Sequence, residues 1–237
     1  MNQARYIAPN IITGLALFCG LAAIERALEG EIMHATWFVL YATVLDKLDG
    51  FAARKLRAVT EIGRQLDSFA DFASFGIAPL FIYLGAIGDE RGLPMLLLGM
   101  IYVLGAALRL GRFNAAEAKD FFHGVPTPLA AGVYALIVHL ALKHGGSPPD
   151  HPLLFGVILA GFGVLMNSSW LTYQKIGAEG TAWTKGAMGG LFLFCALLVA
   201  LRRWPEVLLF VSSGALVVGP WVGVTRDERK AKPSRSG

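Results

Sequence analysis

Four aspartates, Asp46, Asp49, Asp67 and Asp71, stand in the stretch LDKLDGFAARKLRAVTEIGRQLDSFADFASFG, from Leu45 to Gly76. The first pair is spaced i,i+3 and the second i,i+4. On helices, each pair therefore shares one face. Two such helices joined by a short loop can turn four carboxylates toward one another. Carboxylates held that close either take up protons or bind cations. Hard divalent ions such as Mg²⁺ and Mn²⁺ take oxygen ligands, and paired ions about 3.5–4 Å apart serve phosphoryl transfer. The plainer reading is a charged loop balanced by Lys47, Arg54, Lys55, Arg57 and Arg64. It suits Asp46 and Asp49 taken alone. It does not suit the full set, because Asp71 lies inside the apolar run LDSFADFASFGIAPLFIYLG, and an intramembrane carboxylate is costly and usually functional.

The elements that must carry these residues are read from the apolar pattern. The chain has 237 residues, 55% hydrophobic and 16% charged, with a mean hydropathy of +0.55. A soluble domain carries about 25% charged residues. Runs of about 20 apolar residues indicate membrane-crossing helices. Eight are expected: Ile11–Leu28, Ile32–Leu48, Gln65–Ile87, Leu93–Leu110, Pro128–Leu142, Leu153–Leu171, Gly186–Leu201 and Val207–Val224. The expected fold is all-α, a polytopic integral membrane bundle forming one catalytic domain over residues 1–225, with a polar, disordered tail over 226–237. The first apolar run reads as a helix of this bundle and not as a cleaved leader. Cys19 and Cys195 read as small core residues, with no disulfide framework. The basic residues are scattered between apolar segments, so no nucleic-acid partner is expected.

Eight crossings put both termini on one side. That side then holds sixteen of the 21 Lys and Arg residues, among them Lys119, Lys175 and five in the tail. The positive-inside rule makes it the cytoplasmic side, and the aspartates lie there.

Small residues accompany the carboxylates. Gly50, Ala53 and Gly63 allow a ligand or a second helix to approach closely. The full spacing, Asp46-x2-Asp49-Gly50-x2-Ala53-Arg54-x8-Gly63-x3-Asp67-x3-Asp71, resembles the signature of the CDP-alcohol phosphatidyltransferase family position by position. The resemblance implies a membrane enzyme that moves a phosphatidyl group from a CDP-linked lipid to an alcohol and releases CMP. It implies Asp46, Asp49 and Asp67 as ligands of one or, more fully, two divalent ions. It implies Asp71 as the general base and a further ligand. A homodimer and a bacterial-type inner-membrane location are implied in the same way.

Other stretches bear on the acceptor. RYIAPNIITG (Arg5 to Gly14), DSFADFASFGIAPL (Asp67 to Leu80), RLGRFN (Arg109 to Asn114), HGVPTPLAAG (His123 to Gly132) and, more weakly, LMNSSWLTYQK (Leu165 to Lys175) resemble the serine-using branch of that family. CDP-diacylglycerol and L-serine are the substrates this implies, with glycerol 3-phosphate the alternative acceptor. Pro9, Asn10 and Thr13 open a helix whose polar groups can bind a nucleotide or phosphate. With Gly50, Ala53, Arg54 and Gly63 they form the expected CDP-lipid site. Arg109, Arg112 and Asn114 form the expected acceptor site, because an arginine fork suits a carboxylate or phosphate. A different class, a transporter with a carboxylate-lined cation path, would need acidic residues at depth in the later helices, which lack them.

Overall fold

A computed structural model describes residues 4–56, 60–115, 121–146, 148–169, 172–174 and 182–216. Lys119, Lys175 and the tail from Arg226 lie outside the described residues, as do the side chains of Arg5 and His123. The described chain is almost wholly helical. The helices are α1 (Ala4–Leu28), α2 (Ile32–Lys55), α3 (Glu61–Asp71), α4 (Ala78–Ile87), α5 (Leu93–Ala115), α6 (Thr127–Lys143), α7 (Pro152–Leu165), α8 (Ala182–Ala200) and α9 (Pro205–Leu216). A π-helical segment, Phe72–Ile77, joins α3 to α4 without a break, so Glu61–Glu90 runs on as 30 helical residues.

Each of the eight expected apolar segments has a helix over its described part, with shifted ends; residues 217–224 of the last lie outside the described residues. Three are long and apolar enough to cross a membrane: Pro9–Leu28, Glu61–Glu90 and Leu93–Ala115. α2 has 24 residues, but Asp46, Lys47, Asp49, Arg54 and Lys55 make its second half polar. α6 and α7 are apolar and shorter, at 17 and 14 residues.

Each shifted end has a local cause. α1 begins at Ala4 and not near Ile11, because Pro9 sits in its second turn and forgoes a single backbone bond there. α7 stops at Leu165, short of the expected Leu171. The Asn167 side-chain amide donates to the carbonyls of Gly163 (3.1 Å) and Gly105 (2.8 Å), taking the place of a continuing helical bond. The expected helix is therefore absent over residues 166–169, and a strand that was not expected follows it. Thr172–Gln174 (β2) pairs antiparallel with Phe121–His123 (β1), with Phe122 opposite Tyr173. The all-α expectation therefore holds apart from this three-residue ribbon.

Helices pack through small residues, as expected where apolar surroundings offer no hydrophobic drive between helices. α1 and α2 form a hairpin around Gly30, at φ +80°. α5 meets α7 at Gly105 and Gly163, where backbone touches backbone. The core beneath holds Tyr83, Tyr102, Tyr134 and Phe75, all fully buried. Cys19 and Cys195 are half-buried free thiols.

A Cβ on Gly163 would lie 2.6 Å from the Tyr102 Cα and 2.8 Å from the Ile101 carbonyl oxygen, whereas one on Gly161 meets nothing within 4 Å. Gly163→Ala is expected to destabilise the protein by about 1–3 kcal/mol, the scale of overpacking. Gly161→Ala should be neutral or slightly stabilising. Thermal unfolding of the two variants in one detergent checks the contrast.

Candidate active site

The four aspartates come from two elements that cross at one end of the bundle. Asp46 and Asp49 lie in the last turns of α2, and Asp67 and Asp71 lie on α3. The loop between them is short, and α3 starts on Thr60. Thr60 has extended backbone and its hydroxyl accepts from the Gly63 amide at 3.0 Å, a helix N-cap worth about 1 kcal/mol. Glycine at 63 is needed for close approach: a Cβ there would sit 3.0 Å from the Thr60 hydroxyl and 3.3 Å from Asn10 Oδ1. That closeness docks the start of α3 against α1.

Carboxylate oxygens of Asp46, Asp49 and Asp67 lie within 4.8 Å of one another. Asp71 is one helical turn beyond Asp67 and is not part of that group. It lies deeper, within electrostatic reach of Asp46, Asp67, Asp49 and Lys47 on one side and of Arg109 on the other. Asp49 is 5% exposed, and its Oδ2 is 2.7 Å from the buried Thr13 hydroxyl. The same hydroxyl lies 3.1 Å from the Pro9 carbonyl, and its single proton goes to the nearer and charged partner. Lys47 pairs with Asp46 at 2.9 Å from the solvent side.

The donor set is three acidic oxygens with no nitrogen or sulfur, which suits a hard divalent cation. The spacing fits one: octahedral ligands about 2.1 Å from an ion lie about 3–4 Å apart, a small rotation away from what is seen. Asp46, Asp49 and Asp67 can therefore hold a metal ion.

Beside the carboxylates opens a cavity of about 160 Å³. It is lined by Pro9, Asn10, Thr13, Gly50, Ala53, Arg54 and Gly63, together with Asp49 and Asp67. All seven residues expected to bind the CDP-lipid are thus brought to one concavity. A Cβ at Gly50 would make only ordinary contact, 3.4 Å from the Arg54 guanidinium, so this glycine keeps the cavity floor low beneath that side chain. Thr60 and Arg64 also line the cavity and were not singled out by sequence reasoning. The signal for Thr60 was present as a helix N-cap before Glu61 and Gly63. Nothing in the sequence distinguished Arg64 from its basic neighbours.

A single family accounts for this arrangement. The profile of CDP-alcohol phosphatidyltransferases matches residues 6–172. The chain belongs to the CDP-alcohol phosphatidyltransferase family. The matched span includes every carboxylate and every cavity residue named above. Named relatives include the CDP-diacylglycerol–serine O-phosphatidyltransferases of Helicobacter pylori and Bacillus subtilis. The first is 33% identical over 176 residues, 72% of this chain and 74% of that protein. The second is 35% identical over 161 residues, 68% and 86%. The archaetidylserine synthase of Methanothermobacter thermautotrophicus is 34% identical over 126 residues, 52% and 54%. As members of a membrane-integral transferase family are, this phosphatidyltransferase is built on apolar helices.

The expected acceptor residues of this family member do not form one cluster. They fan out from the end of α5. Arg109 is half-buried and donates Nη1 to the Thr127 hydroxyl at 2.9 Å. Its buried Nε meets no acceptor among the described residues, which leaves a donor free for a ligand. Arg112 is exposed and donates to Asn167 Oδ1. Asn114 donates to the Ser68 hydroxyl at 2.9 Å, tying α5 to the helix of Asp67 and Asp71. Ser68 and Asn167 went unnoticed in the sequence, since a lone Ser or Asn carries no spacing signal.

Thr13→Val removes the only side-chain donor to Asp49 among the described residues while keeping the shape. Because a partner that orients a metal ligand typically contributes 10–100-fold in affinity, Mn²⁺ should bind about that much more weakly. Titration followed by electron paramagnetic resonance reads the free ion directly, and an unchanged affinity would remove Thr13 from the site.

Proposed function

We propose that this enzyme transfers the phosphatidyl group of CDP-diacylglycerol to L-serine, giving phosphatidylserine and CMP. The observation that carries the reading is the joining of a cavity of about 160 Å³ to three convergent carboxylates, on a family signature complete over Asp46 to Asp71. The acceptor assignment draws support from relatives that are named for serine.

In this reading the chain crosses the membrane eight times as one catalytic domain, with α2 and the shorter helices completing the bundle. Both termini and the carboxylates face the cytoplasm, the membrane is a bacterial-type inner membrane, and the enzyme works as a homodimer. Two divalent ions, Mg²⁺ or Mn²⁺, occupy the site, held by Asp46, Asp49 and Asp67 with Asp71 as an added ligand. When bound, they neutralise the diphosphate and ease the departure of CMP.

The remaining chemistry falls to the protein. Pro9, Asn10, Thr13, Gly50, Ala53, Arg54 and Gly63 cradle the CDP head, while the acyl chains stay in the bilayer. Asp71 takes the proton from the serine hydroxyl. The freed oxygen forms a new bond to the phosphatidyl phosphorus as the bond to the CMP oxygen breaks. Transfer is direct in this reading: among the described residues no Ser–His or Cys–His pair stands near the carboxylates to supply a nucleophile. Arg112 offers its fork to the serine carboxylate. Arg109, with its uncommitted Nε, faces the charge that develops beside Asp71.

Asp46→Asn, Asp49→Asn and Asp67→Asn should each abolish turnover without unfolding the protein, as CMP release and detergent melting will read. Asp71→Asn should lose at least about 100-fold in kcat, the scale of a lost general base, with CDP-lipid binding largely kept. A parallel collapse of binding would make Asp71 chiefly a ligand.

The acceptor is tested with purified protein, CDP-diacylglycerol and Mn²⁺, offering serine, glycerol 3-phosphate, inositol or choline in separate tubes. CMP release is expected with serine. Release with glycerol 3-phosphate alone would overturn the acceptor and leave the family in place. Arg112→Lys keeps the charge but loses the fork, so the serine KM should rise by more than CDP-lipid binding weakens.

A further inference from the structure

A second cavity, of about 420 Å³, opens at the other end of the bundle. Trp37, His139, Lys143, Arg202, Arg203 and Trp204 line it. It is remote from the carboxylates. Trp37 precedes Asp49 by twelve residues on α2, about 18 Å along a helix. Lys143 ends α6, about 24 Å from the Thr127 that meets Arg109. Nothing in the phosphatidyl transfer uses it.

The floor is aromatic and rigid. Trp37 and His139 are 5% and 3% exposed, and their rings meet edge-on at 5.2 Å. His139 Nδ1 lies 2.8 Å from the Thr36 hydroxyl, which fixes the imidazole plane. The rim is cationic. Arg202 spends Nε on the Tyr41 hydroxyl at 2.8 Å, and its guanidinium lies 5.7 Å from that ring. Both terminal nitrogens of Arg202 are uncommitted among the described residues. Arg203 makes no ion pair or side-chain hydrogen bond among the described residues. Lys143 is neutralised by Glu206 at 2.5 Å, and His144 stands 3.4 Å from that same carboxylate. Two positive charges therefore have no counterion among the described residues. The loop that carries them is strained: Arg202 and Trp204 hold φ of 50° and 49°. Such left-handed backbone outside glycine persists where its surroundings over-determine it, and it clusters at ligand sites.

The rest of this end is mostly acidic, with Arg91 as a further base that donates to the Leu84 carbonyl at 2.9 Å. Glu25, Glu29, Glu31, Asp89, Glu90 and Asp150 lie in its loops and helix ends, and Arg26 is bound to Glu29 and Glu31. In the proposed orientation this is the side that the positive-inside rule leaves poor in bases. A pair of unpaired arginines gathered over an aromatic floor is not explained by anchoring. Trp204, 60% exposed, is the kind of amphipathic ring that settles at a headgroup boundary.

We infer that this cavity binds the phosphate of an anionic phospholipid headgroup, drawn from the leaflet opposite to the one that feeds the catalytic end. The terminal nitrogens of Arg202 and the whole guanidinium of Arg203 hold the phosphate oxygens. The Trp37 and His139 rings carry the glycerol portion, and Trp204 flanks the acyl chains. The headgroup supplies the counter-charge that the loop lacks. The choice of leaflet rests on the orientation proposed above; the charge recognition does not.

The test uses the purified full-length protein in a neutral detergent. Thermal unfolding is followed while dioleoylphosphatidylglycerol, dioleoylphosphatidylcholine or inorganic phosphate is added. Phosphatidylglycerol should raise the midpoint by several degrees, as a ligand that binds the folded state does, with little effect from the other two. Arg203→Gln disturbs no contact within the protein, so its fold and its CMP release should be unchanged. It should need at least about tenfold more phosphatidylglycerol for the same shift, the scale of one charge-assisted hydrogen bond. The Arg202→Gln, Arg203→Gln double variant should show no shift. A shift that survives in the double variant, one as large with phosphatidylcholine, or one matched by inorganic phosphate would each overturn the assignment. Loss of CMP release in wild-type protein would count against the proposed function and leave this result standing.

Discussion

Mutual repulsion among Asp46, Asp49 and Asp67 is the constraint on which the rest of the structure depends. With oxygens within 4.8 Å of one another, each pair of charges costs at least about 3 kcal/mol at an effective dielectric near 20. A fold stable by about 5–15 kcal/mol cannot carry three such pairs without countermeasures. Several are visible. Lys47 sits on Asp46, and Thr13 donates to Asp49. Asp67 has no such partner among the described residues, and a bound cation would relieve it. The site is thus poised for a divalent ion by leaving part of its repulsion unrelieved.

Holding carboxylates in that arrangement requires rigid supports, and these lie in the layer just below. Immediately after Asp71 the helix widens into the π-helical segment Phe72–Ile77. Such segments occur often at functional sites. Here the widening is pinned from both sides. The fully buried Tyr102 donates to the Phe75 carbonyl at 2.6 Å, and Ser74 donates to the Ala16 carbonyl at 3.1 Å. These bonds run from α5 and from α1. The helix bearing Asp67 and Asp71 is therefore fastened to the element that supplies Arg109 and to the element that supplies Thr13. Gly20 makes the α1 contact possible, since a Cβ there would fall 2.2 Å from the Ser74 hydroxyl.

How much of this was legible follows from what each feature depends on. The four aspartates and the seven cavity residues are defined by identity at fixed spacing on three helices, α1, α2 and α3, and local periodicity carries that information. The helical segments were readable for the same reason. What escaped were contacts between elements distant in sequence. Ser68 meets Asn114 across 46 residues, and Asn167 reaches back 55 residues to Arg112. No local pattern encodes such pairs. The π segment escaped because the hydroxyl that pins it, that of Tyr102, comes from another helix. The β1–β2 ribbon escaped because its two strands are three residues each and lie about fifty residues apart. The helix end at Leu165 turned on a single asparagine side chain within an otherwise apolar run.

The fan of Arg109, Arg112 and Asn114 bears on how one helix end can serve two substrates. Residues at i and i+3 share a face, yet these two arginines take opposite environments. Arg109 is drawn inward to Thr127 and Asp71, and Arg112 stays at the surface on Asn167. A buried guanidinium is tolerable only with compensation, because stripping water from a charge costs several kcal/mol. Thr127 supplies one acceptor and Asp71 an opposite charge, while Nε remains without a partner. The inner arginine is thus fixed by the protein and unsatisfied at one atom, the condition for stabilising charge that appears only during reaction. The outer arginine is held by a neutral amide and can trade it for a carboxylate at little cost. On the proposed reading the inner residue would govern rate and the outer one acceptor choice, so a change of acceptor would leave the carboxylate chemistry beneath it untouched.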